Sequence, residues 1–154
     1  EYTSLPQPKI ATVGVKDLIE KVAQLLKPEL KKTEIDFSYK WESEYLTVQV
    51  DTEMIEQVLI NLVKNAIEAL ENTPSARIEV VGRYQNNSVL IEVIDNGPGI
   101  IPEAIERIFI PFFTTKKTGS GIGLALSRQI MQMHNGALSV KSELDVKTVF
   151  TLSF

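Results

Sequence analysis

Residues 51–70, DTEMIEQVLINLVKNAIEAL, carry a helical pattern so apolar that the helix needs a layer to lie against. Ile55, Val58, Leu59, Leu62, Ala66, Ala69 and Leu70 recur at the three-and-four spacing of one helix face. Ile60, Val63 and Ile67 widen that face along one flank. Asp51 offers an N-cap, and Asn72 and Pro74 close the segment. What stays polar on the other flank is a narrow strip of Gln57, Asn61, Asn65 and Glu68. Side chains four apart stack on one face, so Asn61 and Asn65 point at the same object. Asparagine is a mediocre helix former, and a single one here would read as a solvated face. Two in register, on a helix this apolar, read as a polar ligand site at the edge of a core.

The layer comes from strands on either side of this helix. ARIEVVGRY and SVLIEVID form a strand pair joined at Asn86-Asn87. EIDFSYKW and YLTVQV alternate, are rich in β-formers and read as another pair. GALSVKSE and VKTVFTLSF supply the last two strands. Earlier, Val15, Leu18, Ile19, Val22, Leu25 and Leu26 predict a helix from Val15 to about Lys32, with Pro28 kinking or shortening its last turn. A short helix fits residues 103–108, and another fits residues 121–134 before the C-cap signal Asn135-Gly136. Residues 1–14, EYTSLPQPKIATVG, have two prolines and no periodicity and read as a linker. The order α, ββ, α, ββ, loop, α, ββ predicts an α+β fold, with helices layered on one face of a mixed or antiparallel sheet.

Composition narrows the chemistry. At 154 residues the chain is about one domain's worth. Its net charge of −4 argues against nucleic acid as the main ligand, because phosphate backbones want a basic face. With no cysteine there is no disulfide framework, thiolate nucleophile or cysteine-based metal site. No run approaches the roughly 18 apolar residues that span a bilayer, and no signal peptide is visible. A start at Glu1 rather than methionine suits a piece of something longer.

Two glycine-rich stretches complete the candidate site. In IDNGPGI a strand runs out at Asp95, and Gly97 and Gly99 follow around Pro98. Alone, this is a tight turn capped by its aspartate. It also suits a carboxylate accepting from an amino group, beside glycines that let a flat ring approach the backbone. In TTKKTGSGIGLAL, Gly119, Gly121 and Gly123 open a helix whose first-turn N–H groups are unpaired. That is an anion site by construction, with Thr114, Thr115, Lys116 and Lys117 on its approach, although the stretch alone equally suits a flexible loop with solvated lysines. Neither the Rossmann nor the Walker spacing is present.

Taken in order, NLVKNAIEA, DNGPG, FIPFFTTKK and GSGIG resemble the N box, first glycine box, phenylalanine box and second glycine box of the histidine kinase ATP-binding domain. That family sits in the superfamily with gyrase, MutL and the heat-shock chaperones. The resemblance covers residues 15–154 and implies the Bergerat-type ATP-binding fold, a two-layer α/β sandwich with a mixed sheet. Position by position it implies that Asn65 binds Mg²⁺ bridging the ATP phosphates and that Asn61 sits beside phosphates and metal. Asp95 takes the adenine amino group, and Gly97, Gly99 and Ile100 shape the base pocket. Residues 109–117, among them Phe113, Thr114, Thr115 and Lys116 of the nucleotide site, form the start of a mobile ATP lid. Gly119, Ser120, Gly121, Ile122, Gly123 and Leu124 carry the phosphates. Thr148 lies where the family often has a Gly-Thr pair near the adenine, although Lys147 replaces that glycine.

One absence sets the subclass. In gyrase-like relatives a glutamate four residues before the metal-binding asparagine activates water; here that position is Asn61, which is no general base. The resemblance therefore implies ATP held without ready hydrolysis and its γ-phosphoryl passed to a protein side chain, as in a two-component sensor kinase of nitrogen-regulation type. Glu68 stands where many members have a basic residue, and Lys116 is the candidate for the missing charge. Catalytic roles thus fall to Asn61 and Lys116. The sole histidine, His134, reads as a helix cap rather than as the phosphoacceptor. The acceptor is expected on an upstream dimerising hairpin before Glu1, with a response regulator receiver domain as partner, a homodimeric parent and a cytoplasmic location. Anchoring of the parent in the inner membrane stays open, as do two rivals, a serine-phosphorylating anti-sigma-type kinase and a regulatory module without catalysis.

Overall fold

The structure is a computed structural model and describes residues 5–113 and 122–154. In chain order its first elements are β1 (Ala11–Gly14), α1 (Val15–Lys31), β2 (Asp36–Trp41), β3 (Thr47–Val50) and α2 (Thr52–Ala69). A hairpin of β4 (Arg77–Gln85) and β5 (Ser88–Asp95) follows, then α3 (Pro102–Ile105), α4 (Gly123–Met133), β6 (Ala137–Glu143) and β7 (Lys147–Ser153).

The strands build a five-stranded sheet in the order β2-β4-β5-β7-β6, with β2 parallel to β4 and the other pairs antiparallel. Helices α1, α2 and α4 cover one face, giving the expected α+β architecture with a mixed sheet. Alternation explains which face is covered. Ile78 and Val80 of β4, Ile91 and Val93 of β5, and Phe150 and Leu152 of β7 are buried at every second position. They meet Ile55, Val58, Leu59, Leu62 and Val63 of α2 and Leu18, Ile19 and Val22 of α1 in one core. Gly82 lets α1 approach, since a Cβ there would stand 2.6 Å from Val15 Cγ1. Asn86 and Asn87, at φ 53° and 63°, turn the β4–β5 hairpin in the left-handed conformation that asparagine tolerates.

Four expectations change. The segment read as a linker supplies β1, which pairs antiparallel with β3, and the Lys9 N–H reaches Asp51 Oδ2 at 2.8 Å. The strands β2 and β3, read as a pair, do not pair with each other; β2 joins β4 in the main sheet and β3 joins β1. Alternation marks a strand but carries no address for its partner. Helix α1 ends at Lys31, close to the expected Lys32, and continues through Pro28, but Leu25, counted in its apolar stripe, lies exposed on its outer side. The α2 stripe is narrower at its end, where Ala69 is exposed. No helix among the described residues is long and apolar enough to cross a membrane.

Candidate functional site

Successive rows of side chains cross the covered face of the sheet. Ile91 of β5, Leu152 of β7 and Leu138 of β6 form one row, and Val93, Phe150 and Val140 the next. The third row, by the same register, is Asp95, Thr148 and Ser142. An apolar face ends in three adjacent polar side chains, and Asp95 and Thr148 are 5% and 4% exposed. Directly opposed residues on neighbouring antiparallel strands point to the same side within contact range. Asp95 and Thr148, chosen from distant motifs, are therefore brought together.

Asp95 accepts from the Gly97 N–H at 2.9 Å. Burial pushes its carboxyl above the ordinary carboxylate range, and the Gly97 N–H opposes that shift only in part. A desolvated acceptor with one backbone donor suits a neutral N–H₂ group of a ligand. Gly97 also sits where the end of α2 passes: a Cβ there would lie 3.3 Å from Leu70 Cδ2 and 3.5 Å from the Ala69 carbonyl oxygen. Gly99 is at φ +84°, and a Cβ on it would meet Ser142 Oγ at 2.8 Å and the Glu143 carbonyl oxygen at 3.1 Å. The β6–β7 turn clasps this loop twice, through Ile100 N–H to Ser142 Oγ at 2.7 Å and Asp145 N–H to the Pro98 carbonyl at 2.8 Å.

The other end of the site lies on α2 and α4. Asp51 caps α2 by accepting from the Met54 N–H at 3.1 Å. Asn61 Nδ2 stands 3.2 Å from Ser127 Oγ on α4, and a Cβ on Gly123 would come within 2.6 Å of Asn61 Oδ1. The first residue of α4 is thus a glycine because the Asn61 amide lies against it. From Asn61 to Leu70 along α2 is about 14 Å at 1.5 Å per residue. One helix therefore joins the polar sheet end at Gly97 to the start of α4, with Asn65 between. Ile100 and Leu124 are half-buried against the core. The loop after α3 is anchored by Phe109, edge-on to Phe150 at 6.5 Å, with the Arg128 guanidinium 5.1 Å from the Phe109 ring centre.

Phe113 ends the described part of the phenylalanine box, half-buried, and Ile122 begins α4 as its N-cap. Thr114, Thr115, Lys116, Gly119, Ser120 and Gly121 lie outside the described residues. His134 closes α4: its Nε2 accepts from the Asp51 N–H at 3.1 Å, so the ring proton is on Nδ1, 2.7 Å from the Ile130 carbonyl oxygen. That arrangement occupies both nitrogens in structure.

Two residues escaped the reading of the sequence. Ser127 sits at helical spacing among apolar neighbours and is 3% exposed, a small polar residue on a buried face. Ser142 alternates in phase with Leu138 and Val140, so the period alone placed it inward; nothing local marked it as polar for a purpose. Among the described residues no group of three or more His, Asp or Glu side chains gathers to hold a metal ion by itself.

Known proteins share the sequence pattern and the fold. The family model described as "Histidine kinase-, DNA gyrase B-, and HSP90-like ATPase" matches residues 50–154. The sensor histidine kinase ZraS of Salmonella typhimurium is 35% identical over 143 residues, covering 93% of this chain and 30% of that protein. The chain thus spans about a quarter to a third of the length of curated relatives it matches, 30% of ZraS and 23% of the histidine kinase AtoS of Escherichia coli. The catalytic domain of histidine kinase ThkA superposes with a TM-score of 0.84 at 34% identity, covering 95% of each chain. A structure of ThkA in complex with the response regulator protein TrrA matches at a TM-score of 0.80 and 30% identity, over 96% of this chain and 42% of that one.

Proposed function

Since the chain belongs to the histidine kinase-, DNA gyrase B- and HSP90-like ATPase family, we propose that it binds Mg-ATP along α2 and donates the γ-phosphoryl to a histidine on an upstream dimerisation domain. The observation that carries this reading is the pair of polar ends joined by one helix. Asp95 and Thr148 close the sheet at the base end, and Asn61 lies against the glycine that starts α4 at the phosphate end. The family supplies ATP use; the sensor-kinase relatives favour phosphotransfer over the serine-kinase and regulatory alternatives.

In this reading the Asp95 carboxylate accepts the adenine amino group, while Gly97 and Gly99 keep the loop close to the ring. The first N–H groups of α4 face the phosphates with the positive end of the helix dipole. Asn65 offers an amide oxygen with no supporting carboxylate cluster, which fits a magnesium ion held mostly by phosphates and water. When bound, that ion offsets phosphate charge. Asn61 takes no proton, so water beside it is not activated; positioning and charge stabilisation favour transfer to a protein side chain. In that transfer the bond from the γ-phosphorus to its bridging oxygen breaks, a phosphorus–nitrogen bond forms at the histidine, and ADP leaves. We assign to Lys116 the positive charge that Glu68 does not provide. By analogy with the ThkA–TrrA complex, a response regulator receiver domain then takes the phosphoryl group, from a homodimeric parent on the cytoplasmic side.

Calorimetric titration with a non-hydrolysable ATP analogue, with Mg²⁺ and with excess chelator, tests the site. Magnesium-dependent binding that is lost in Asn65→Asp and weakened several-fold in Lys116→Ala is the expected result. No binding at millimolar nucleotide would overturn it.

A further inference from the structure

We propose that Asn96 is the positioning residue of the base end: its side-chain amide ties the first glycine loop to the start of β4, and so sets the direction in which the Asp95 carboxylate meets a base. The inference rests on the placement of the adenine amino group at Asp95 given above. It goes beyond that reading by naming the residue that holds the carboxylate in place.

The β4–β5 ladder runs out at the pair Ile78 and Asp95. One residue on, Asn96 donates its N–H to the Arg77 carbonyl oxygen at 3.3 Å. In a regular antiparallel pair, Arg77 would return the second bond to the Asn96 carbonyl. Its N–H goes instead to Asn96 Oδ1 at 2.6 Å. The side chain stands in for the backbone, so the chain leaves the sheet at Gly97 without losing its hold on β4. Asn96 Nδ2 makes a third bond, donating to the Ser75 carbonyl oxygen at 2.9 Å. No choice of polarity is open here. A backbone N–H only donates and a carbonyl only accepts, so the amide has one orientation.

The anchor is firm. Ala76, between the two anchoring residues, is buried in the core, and its carbonyl accepts from the Asp36 N–H of β2 at 2.9 Å. The tethered loop carries the site on either side of Asn96. Asp95 precedes it, and Gly97 follows with its N–H on Asp95 Oδ1 at 2.9 Å. The direction of the carboxylate therefore follows the position of Gly97, and that position follows the tether. Both side-chain bonds of Asn96 lie at the surface. Water replaces exposed partners at little cost to the fold, but it fixes no direction. Removing the amide should thus leave the domain folded while the loop swings and takes the carboxylate with it. Asn96 touches no ligand in this scheme.

The test measures binding of ATP, and of the 5′-triphosphate of purine riboside, which lacks the 6-amino group, to the intact chain with Mg²⁺. The wild type should favour ATP, since only ATP brings the donor that Asp95 accepts. Asn96→Ala should narrow that preference by about fivefold, within what one neutral hydrogen bond distinguishes, and chiefly through weaker ATP binding. Equal weakening of both nucleotides would mean that Asn96 merely supports the loop, and would overturn the proposal. So would a preference that Asn96→Ala leaves unchanged. A wild type that binds both nucleotides equally, or neither, would instead sink the base placement on which the proposal rests. Should Asn96→Ala fail to fold, Asn96→Ser, whose single hydroxyl serves one anchor at most, is read in its place against the same outcomes.

Discussion

The two ends of the candidate site hold their glycines for different reasons. At the sheet end, Gly99 is at φ +84° with the β6–β7 turn pressed against it, so backbone conformation and space both demand glycine. At the α4 end, the crowding atom at Gly123 is the tip of the Asn61 side chain, and no left-handed backbone is required. The proposed base pocket is part of the sheet's own construction, clasped by two hydrogen bonds from the neighbouring hairpin. The described part of the phosphate end is an arrangement of side chains on two helices, Asn61 against Ser127 and Gly123. The difference teaches where function and stability are coupled. Damage to the backbone at the base end should reach the fold, and damage at the phosphate end should reach the ligand first.

Asp95→Asn should show the largest effect and separate the two quantities most sharply. Nucleotide affinity should fall by about a hundredfold or more, because an amide can turn its donor toward the adenine amino group. The ligand-free domain should become more stable near pH 7. Asp95 has a carboxyl raised above its ordinary 3.8, so in the native state ionisation opposes folding. That destabilisation is absent below pH 3.8, grows as pH rises through the native value, and is complete above it. Thermal melts of both proteins across pH 4 to 8 check this: a gap between them that does not widen with pH would refute it. Wild-type nucleotide affinity should also weaken as pH falls toward that raised value, since a protonated carboxyl no longer accepts freely.

Gly99→Ala comes next, with a cost of about 2 kcal/mol from the left-handed backbone and the approach of the Glu143 carbonyl. Urea unfolding measures it, and an unchanged midpoint would erase the distinction between the ends. Gly123→Ala should do the reverse. Alanine favours the helix by up to about 1 kcal/mol, so stability should hold, while displacement of the Asn61 amide should lower Mg-nucleotide affinity by about tenfold. The smallest effect belongs to His134→Ala, which leaves the Asp51 N–H without its acceptor and should cost about 1 kcal/mol. His134→Gln, whose amide oxygen reaches the same place as Nε2, should recover most of it in the same unfolding experiment.

What the sequence determined by itself was everything carried by local period and local chemistry. The apolar stripe and Asp51 cap of α2, the Asn86-Asn87 hairpin, the β6–β7 pair and the Asn61–Asn65 strip were all legible, because each depends on residues within a turn or two of one another. The order of the glycine and asparagine motifs then pointed to the family. Only the tertiary structure decided which strand lies beside which. It sent β2 to β4 and β3 to β1, because alternation fixes a buried face but not the partner along an edge. It also made Ser142 part of the site, through a row of three residues from β5, β6 and β7 that are aligned by register and not by sequence. His134 looked like a simple cap until the fold placed its second nitrogen against the Asp51 N–H, 83 residues away. Hydrogen bonds across such separations form only once burial has set the strands and helices in place, and no spacing along the chain announces them.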